Sequence, residues 1–178
     1  DDEITSSLDI NAANLPNATI FIVYRQLEKS GIGALWGHDD GAWDRMQLFY
    51  NSYDNAYYQI AASSAGTSVK GMATNQVTVY TAVLKNGVSN GSYVYINGVS
   101  DGATGLPAFT STEPTTGKAS FTLANKSSGD WFCGRVQIGE VLVYDAALSD
   151  GTRKNVEAYL KNKWTGASVA VTPVLQTG

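Results

Sequence analysis

The chain has 178 residues, enough for one domain with a substantial buried core. Charged residues make up only 16%, against about 25% in ordinary soluble domains, and a net charge of −4 with no run of Lys or Arg excludes nucleic acid and an anionic membrane surface as partners. A single cysteine, Cys133, excludes an intrachain disulfide, and a single histidine, His38, excludes the common zinc patterns.

Taken in order, the chain reads as strand after strand. "ATIFIVYRQ" (18–26), "RMQLFYNSY" (45–53), "AYYQIAAS" (56–63) and "VTVYTAVLKN" (77–86) are rich in β-branched and aromatic residues. So are "SYVYINGV" (92–99), "ASFTLANK" (119–126) and "GRVQIGEVLVYD" (134–145), with Gly, Asn, Asp and Ser as punctuation. Alternation within "YVYING" puts Tyr93, Tyr95 and Asn97 on one face and Val94 and Ile96 on the other. "KNGVSNGS" holds two Asn-Gly pairs, a hairpin signal stretched into a longer loop.

The pattern breaks once. "LSDGTRKNVEAYLKNKW" spaces Val156, Tyr159, Leu160 and Trp164 at helical intervals, predicting a helix over about 149–164 with Ser149 as N-cap and Asp150 in the first turn. The predicted fold is all-β, a two-sheet antiparallel sandwich followed by one C-terminal helix. Residues 1–165 form one domain, and 166–178 read as a linker or terminal strand leading to a next module. No apolar run is long enough for a membrane-spanning helix, so no membrane insertion is expected.

"GHDDGAWDRMQLFYNSYDN" (37–55) concentrates polar chemistry around flat rings. Two readings stay open. In one, Asp40-Gly41 is a hairpin-type turn that Asp44 and Arg45 fix as a local ion pair. In the other, Trp43 stacks on the C–H face of a sugar, while Asp44, Arg45, Asn51 and Tyr53 hydrogen-bond its hydroxyls. Trp131, in "SSGDWFCG", is a second loop tryptophan. The loop acids Asp39, Asp40, Asp101 and Asp130 supply the hard oxygens that Ca²⁺ requires. His38, next to a turn and two aspartates, reads as a hydrogen-bonded turn residue, with a base or metal ligand as the other reading.

"GRVQIGEVLVYDAALSDGTRKNVEAYLKNKW" resembles the closing signature of bacterial concanavalin A-like, laminin G-type jelly-roll domains: an apolar strand with Gly before Glu, then "VYD", "ALSD" and a helix ending in "YLKNKW". "ATIFIVYRQ" and "ALWGHDDGAWDR" resemble the opening of the same family, so the likeness runs over about 18–165. It implies a jelly-roll sandwich, and it gives Glu140 a place in the fold, paired with backbone or a basic neighbour. The superfamily also contains glucanases with a Glu-x-Asp-x-x-Glu strand and lyases with Gln-Ile-His and a Tyr-Lys pair. Here Glu3, Glu28, Glu113, Glu140 and Glu157 are scattered, and "QIA" and "QIG" lack the histidine. No Gly-x-Ser-x-Gly elbow accompanies His38.

The resulting expectation is a non-catalytic, lectin-like module of a large secreted or surface bacterial protein, an adhesin. It would be monomeric within a longer chain and bind a glycan, with Ca²⁺ at Asp39, Asp40, Asp101 and Asp130. A protein-binding or spacer module is the alternative, and a polysaccharide-active enzyme comes third.

Overall fold

The computed structural model describes residues 3–10, 14–28, 32–38, 45–50, 55–61, 64–67, 73–89, 91–100, 120–125 and 135–166. In chain order the elements are β1 (Ile4–Ser6), β2 (Asn17–Gln26), β3 (Ile32–His38), β4 (Arg45–Tyr50), β5 (Asn55–Ala61) and β6 (Ser64–Thr67). They continue with β7 (Val77–Lys85), β8 (Tyr93–Ile96), β9 (Val99–Ser100), β10 (Phe121–Leu123), β11 (Val136–Tyr144) and α1 (Asp150–Thr165). One sheet has the order β1-β10-β3-β4-β5-β6 and the other β11-β2-β7-β8-β9, with antiparallel neighbours throughout. This is the two-sheet sandwich with a C-terminal helix that the residue pattern predicts.

β2 explains why its segment reads as an unbroken apolar run. Ala18, Ile20, Ile22 and Tyr24 face the other sheet and meet Trp36, Leu35, Phe121 and Leu123 in the sandwich core. Phe21 and Val23 point the opposite way, with Val79, against Leu160 of α1. A strand buried on both faces needs apolar residues at every position rather than at every second one. Each such side chain contributes about 1.5–3 kcal/mol by leaving water. The helix thus makes a third layer over the outer face of the second sheet.

Ser149 caps α1 by accepting the Thr152 N–H at 3.3 Å, and Gly166, in the left-handed region at φ 67°, ends it. The inward face differs from the predicted one. Arg153, Glu157, Ala158 and Leu160 are buried, whereas Tyr159 is 50% exposed. The Arg153–Glu157 ion pair takes a part of the inward face that apolar spacing alone leaves unassigned, and Tyr159 lies off that face. Among the described residues no helix is long and apolar enough to cross a membrane.

Other boundaries move for local reasons. "SYVYINGV" is two strands, β8 and β9, joined by an Asn97-Gly98 turn with φ of 53° and 81° at those residues. Asn97 completes the ladder: its Oδ1 accepts the Val79 N–H at 2.9 Å and its own N–H donates to the Val79 carbonyl at 2.8 Å. β3, "IGALWGH", lacks a clear signal in the sequence because its two glycines dilute it.

Candidate functional site

β3 and β4 pair with His38 opposite Arg45, so the 39–44 connection leaves the first sheet at that end. Both stem side chains are withdrawn from solvent, His38 to 1% and Arg45 to 2% exposure. Arg45 Nη1 donates to the carbonyls of Ile10 at 2.8 Å and Leu15 at 2.7 Å, and Nη2 donates to that of Pro16 at 3.2 Å. His38 Nε2 lies 3.1 Å from Asp9 Oδ1, while Asp9 Oδ2 accepts from Asn14 Nδ2 at 2.7 Å. Charge-assisted bonds of this kind are stronger than neutral ones. They fasten the base of the 39–44 connection to the 9–16 segment.

This corrects the expectation for Arg45. Its guanidinium is buried and faces backbone carbonyls inside the protein rather than sugar hydroxyls, and Asp44, its expected ion-pair partner, lies outside the described residues. His38 is the hydrogen-bonded turn residue of the first reading.

The remaining expected residues, Trp43, Asp44, Asn51 and Tyr53 for sugar and Asp39, Asp40, Asp101 and Asp130 for metal, lie outside the described residues, as do Trp131 and Cys133. The strands nevertheless fix where their segments attach. Tyr50 pairs with Asn55 at the far end of β4, so 51–54 is entered from the end opposite to 39–44. Six strand residues at about 3.4 Å each separate the two ends by about 17–20 Å. The 39–44 and 51–54 segments are thus attached at opposite ends of β4. The connection holding Asp130 enters β11 at Val136, opposite Gln26, at the end of β2 remote from Asn17 and the Arg45 clamp. Among the described residues no three His, Cys, Asp or Glu side chains converge.

The outer face of the second sheet carries two grooves, one at each end of α1. The first, about 390 Å³, is lined by Val83, Lys85, Tyr93, Tyr95, Leu148 and Asp150 among others. Its two tyrosine rings have centroids 6.5 Å apart. Behind Tyr95 the Arg153 guanidinium stacks 3.6 Å from the ring centroid and donates to both Glu157 oxygens at 2.7 Å. Thr81 Oγ1–H adds a 2.9 Å bond to Glu157. Burial raises the Tyr95 hydroxyl pKa above its usual value, against the opposing pull of Arg153. The second groove, about 320 Å³, lies between Arg25, Val77, Ile138, Gly139 and Trp164. The alternation in "YVYING" signals that Tyr93 and Tyr95 share a face; what it lacks is any sign that α1 covers Tyr95 through Arg153 and stops short of Tyr93.

No family model and no curated protein matches the chain. Solved structures do. Trypanosoma rangeli sialidase in complex with sialic acid gives a TM-score of 0.64 at 14% identity, over 85% of this chain and 24% of that one. The SAP-like pentraxin of Limulus polyphemus gives 0.60 at 16% identity over 80% of this chain and 70% of its own. A candidate carbohydrate-binding protein of Bacteroides ovatus gives 0.62 at 12% identity, covering 86% and 44%. The chain spans about a quarter of the length of the sialidase. The likeness is one of fold: an antiparallel two-sheet sandwich of the jelly-roll kind.

Proposed function

We propose that the chain is a non-catalytic, lectin-like carbohydrate-binding module, of laminin G type, whose glycan surface forms on the 39–44 connection. The observation that carries this reading is the Arg45 clamp, a buried guanidinium on three carbonyls at the residue where that connection enters β4. A recognition loop gains affinity when its base is held rigid before the ligand arrives. Trp43 supplies the stacking ring and Asp44 a hydroxyl partner. Asn51 and Tyr53, on the segment that follows β4, supply further hydroxyl partners. The fold shared with a candidate carbohydrate-binding protein of Bacteroides ovatus supports the ligand class. The scattered glutamates support the absence of catalysis.

The carboxylates of Asp39 and Asp40 are hard donors on a stem fixed by Arg45, a set whose chemistry fits Ca²⁺. Bound there, the ion would add positive charge facing sugar hydroxyls. We place the module in a secreted or surface bacterial adhesin, in keeping with its Ser, Thr, Asn and Gly-rich composition.

A glycan array probed with the chain in millimolar Ca²⁺ and again in EDTA tests this reading. Selective binding lost in EDTA is the expected result. Selective binding that persists in EDTA keeps the lectin and removes the ion from the mechanism. Silence in both replaces the reading with a protein-binding or spacer module.

A further inference from the structure

We propose that the groove between β7, β8 and residues 147–150 is a second binding site, and that its ligand is a neutral pyranose ring stacked on Tyr93. The inference shares only its ligand class with the reading above and uses none of the same residues.

The groove follows from strand parity. Odd-numbered residues of β7 and β8 point away from the sandwich core, as the pairs Tyr93–Val83 and Tyr95–Thr81 show. Val79 packs beneath Leu160 of α1, and Thr81 bonds to Glu157. The helix begins only at Asp150, so Val83, Lys85 and Tyr93 stay beyond its end. The resulting volume, about 390 Å³, falls within the range of small-molecule sites.

Its walls are rigid. Tyr95 is held between the sheet and the Arg153 guanidinium, itself held by Glu157, so its ring has little rotamer freedom left to lose on binding. Tyr93 stands beside it, tilted by 41°, giving an angled aromatic platform. The Lys85 N–H donates to Ser92 Oγ at 2.9 Å, which pins the root of the lysine next to the tyrosines. Gly91 closes the loop so tightly that a β-carbon there would stand 2.8 Å from Val88.

The polar groups select the ligand. Lys85 offers donors and Asp150 acceptors on the same rim. A ligand with net charge is attracted by one and repelled by the other. A hydroxyl both donates and accepts, so a polyol satisfies both. An apolar ring face on Tyr93 with hydroxyls turned to Lys85 and Asp150 describes a neutral sugar.

The experiment is an NMR titration of the whole chain, labelled on tyrosine rings and tryptophan indoles, with the methyl pyranosides of glucose, galactose and mannose at millimolar concentration. The Tyr93 and Tyr95 ring signals should move saturably with at least one sugar. Affinity for it should fall about tenfold in Tyr93→Ala and measurably in Lys85→Ala, an exchange of a side chain that takes no part in the core. Ring signals that stay still with every sugar overturn the inference, as does undiminished affinity in both variants. The Trp43 indole signal, read in the same spectra, reports separately on the 39–44 surface. Its movement with still tyrosines would leave the module a lectin and remove only the groove.

Discussion

The indole of Trp164 rests on Gly139: a β-carbon at 139 would stand 2.9 Å from Cζ3 and 3.0 Å from Cη2 of that ring. The same indole donates its N–H to Glu140 Oε2 at 2.7 Å, where Lys163 Nζ joins at 2.9 Å. The Gly-Glu of β11 and the Lys-Trp ending α1 are therefore one contact written in two places in the chain. It locks the end of the helix to the edge strand of the second sheet.

Gly139→Ala should destabilise the fold by about 1–3 kcal/mol, because the indole must move to admit a methyl group. Urea unfolding would show a lower midpoint at unchanged slope. In the Trp164→Ala background the same substitution should cost far less, and equal costs in both backgrounds would disprove the contact.

Arg153 and Glu157 are 2% and 3% exposed. Glu157→Ala strands a buried guanidinium and should cost about 3–5 kcal/mol. The double variant Arg153→Met, Glu157→Leu should recover most of that loss, since an apolar pair of similar volume removes both charges. Thermal melts of the three proteins decide the point.

The Glu140 carboxyl is held below its ordinary 4.5 by the hydrogen bond from Trp164, then by that from Lys163. A lowered folded pKa means stability that is present above about 4.5 and lost as pH falls through the folded value. Lys163 is raised by the same bond, so its share is present below 10.5 and fades above it. Glu140→Gln should therefore flatten the acid limb of the stability profile, most visibly below pH 4.5, and lower stability at neutral pH. Parallel profiles for the two proteins would argue against the linkage.

Arg45 and Trp43, two residues apart in sequence, should separate cleanly. Arg45→Ala removes the side-chain donor of the Ile10 and Leu15 carbonyls, while that of Pro16 keeps the Asn86 N–H, and should destabilise by about 3 kcal/mol or more. Arg45→Lys should recover only part, lacking the fork that reaches three acceptors. Trp43→Ala should leave the melting temperature unchanged and weaken glycan binding about 5- to 150-fold. Calorimetry on folded protein reads both effects.

Most of the architecture was legible because it rests on short-range patterns. β-branched runs located β2, β7 and β11, and Ser149 with its following residues located α1 to within a residue. The clamp was less legible. Nothing near "WDR" says that Arg45 will find three carbonyls some thirty positions upstream. Burying an arginine requires a long-range arrangement that local composition does not encode. The same limit applies to "GHDDGAWDRMQLFYNSYDN", which reads as one cluster, whereas its 39–44 and 51–54 segments attach at opposite ends of β4. Arg153 and Glu157 are hard to read for a related reason: charges on a helix suggest a solvated face until a neighbouring sheet supplies Thr81 and Tyr95 to receive them.

β2 is made early and covered late. Its inner face waits for β3 and β10, and Phe21 and Val23 wait for Leu160. At the roughly 5–20 residues per second of synthesis, that interval is on the order of ten seconds. Throughout it the nascent chain carries an apolar strand with no finished shelter on either side. Helix α1 therefore closes folding: until residues 150–165 emerge, the outward side chains of Phe21 and Val23 are open to apolar contact with other chains, and any truncation before Asp150 would make that exposure permanent.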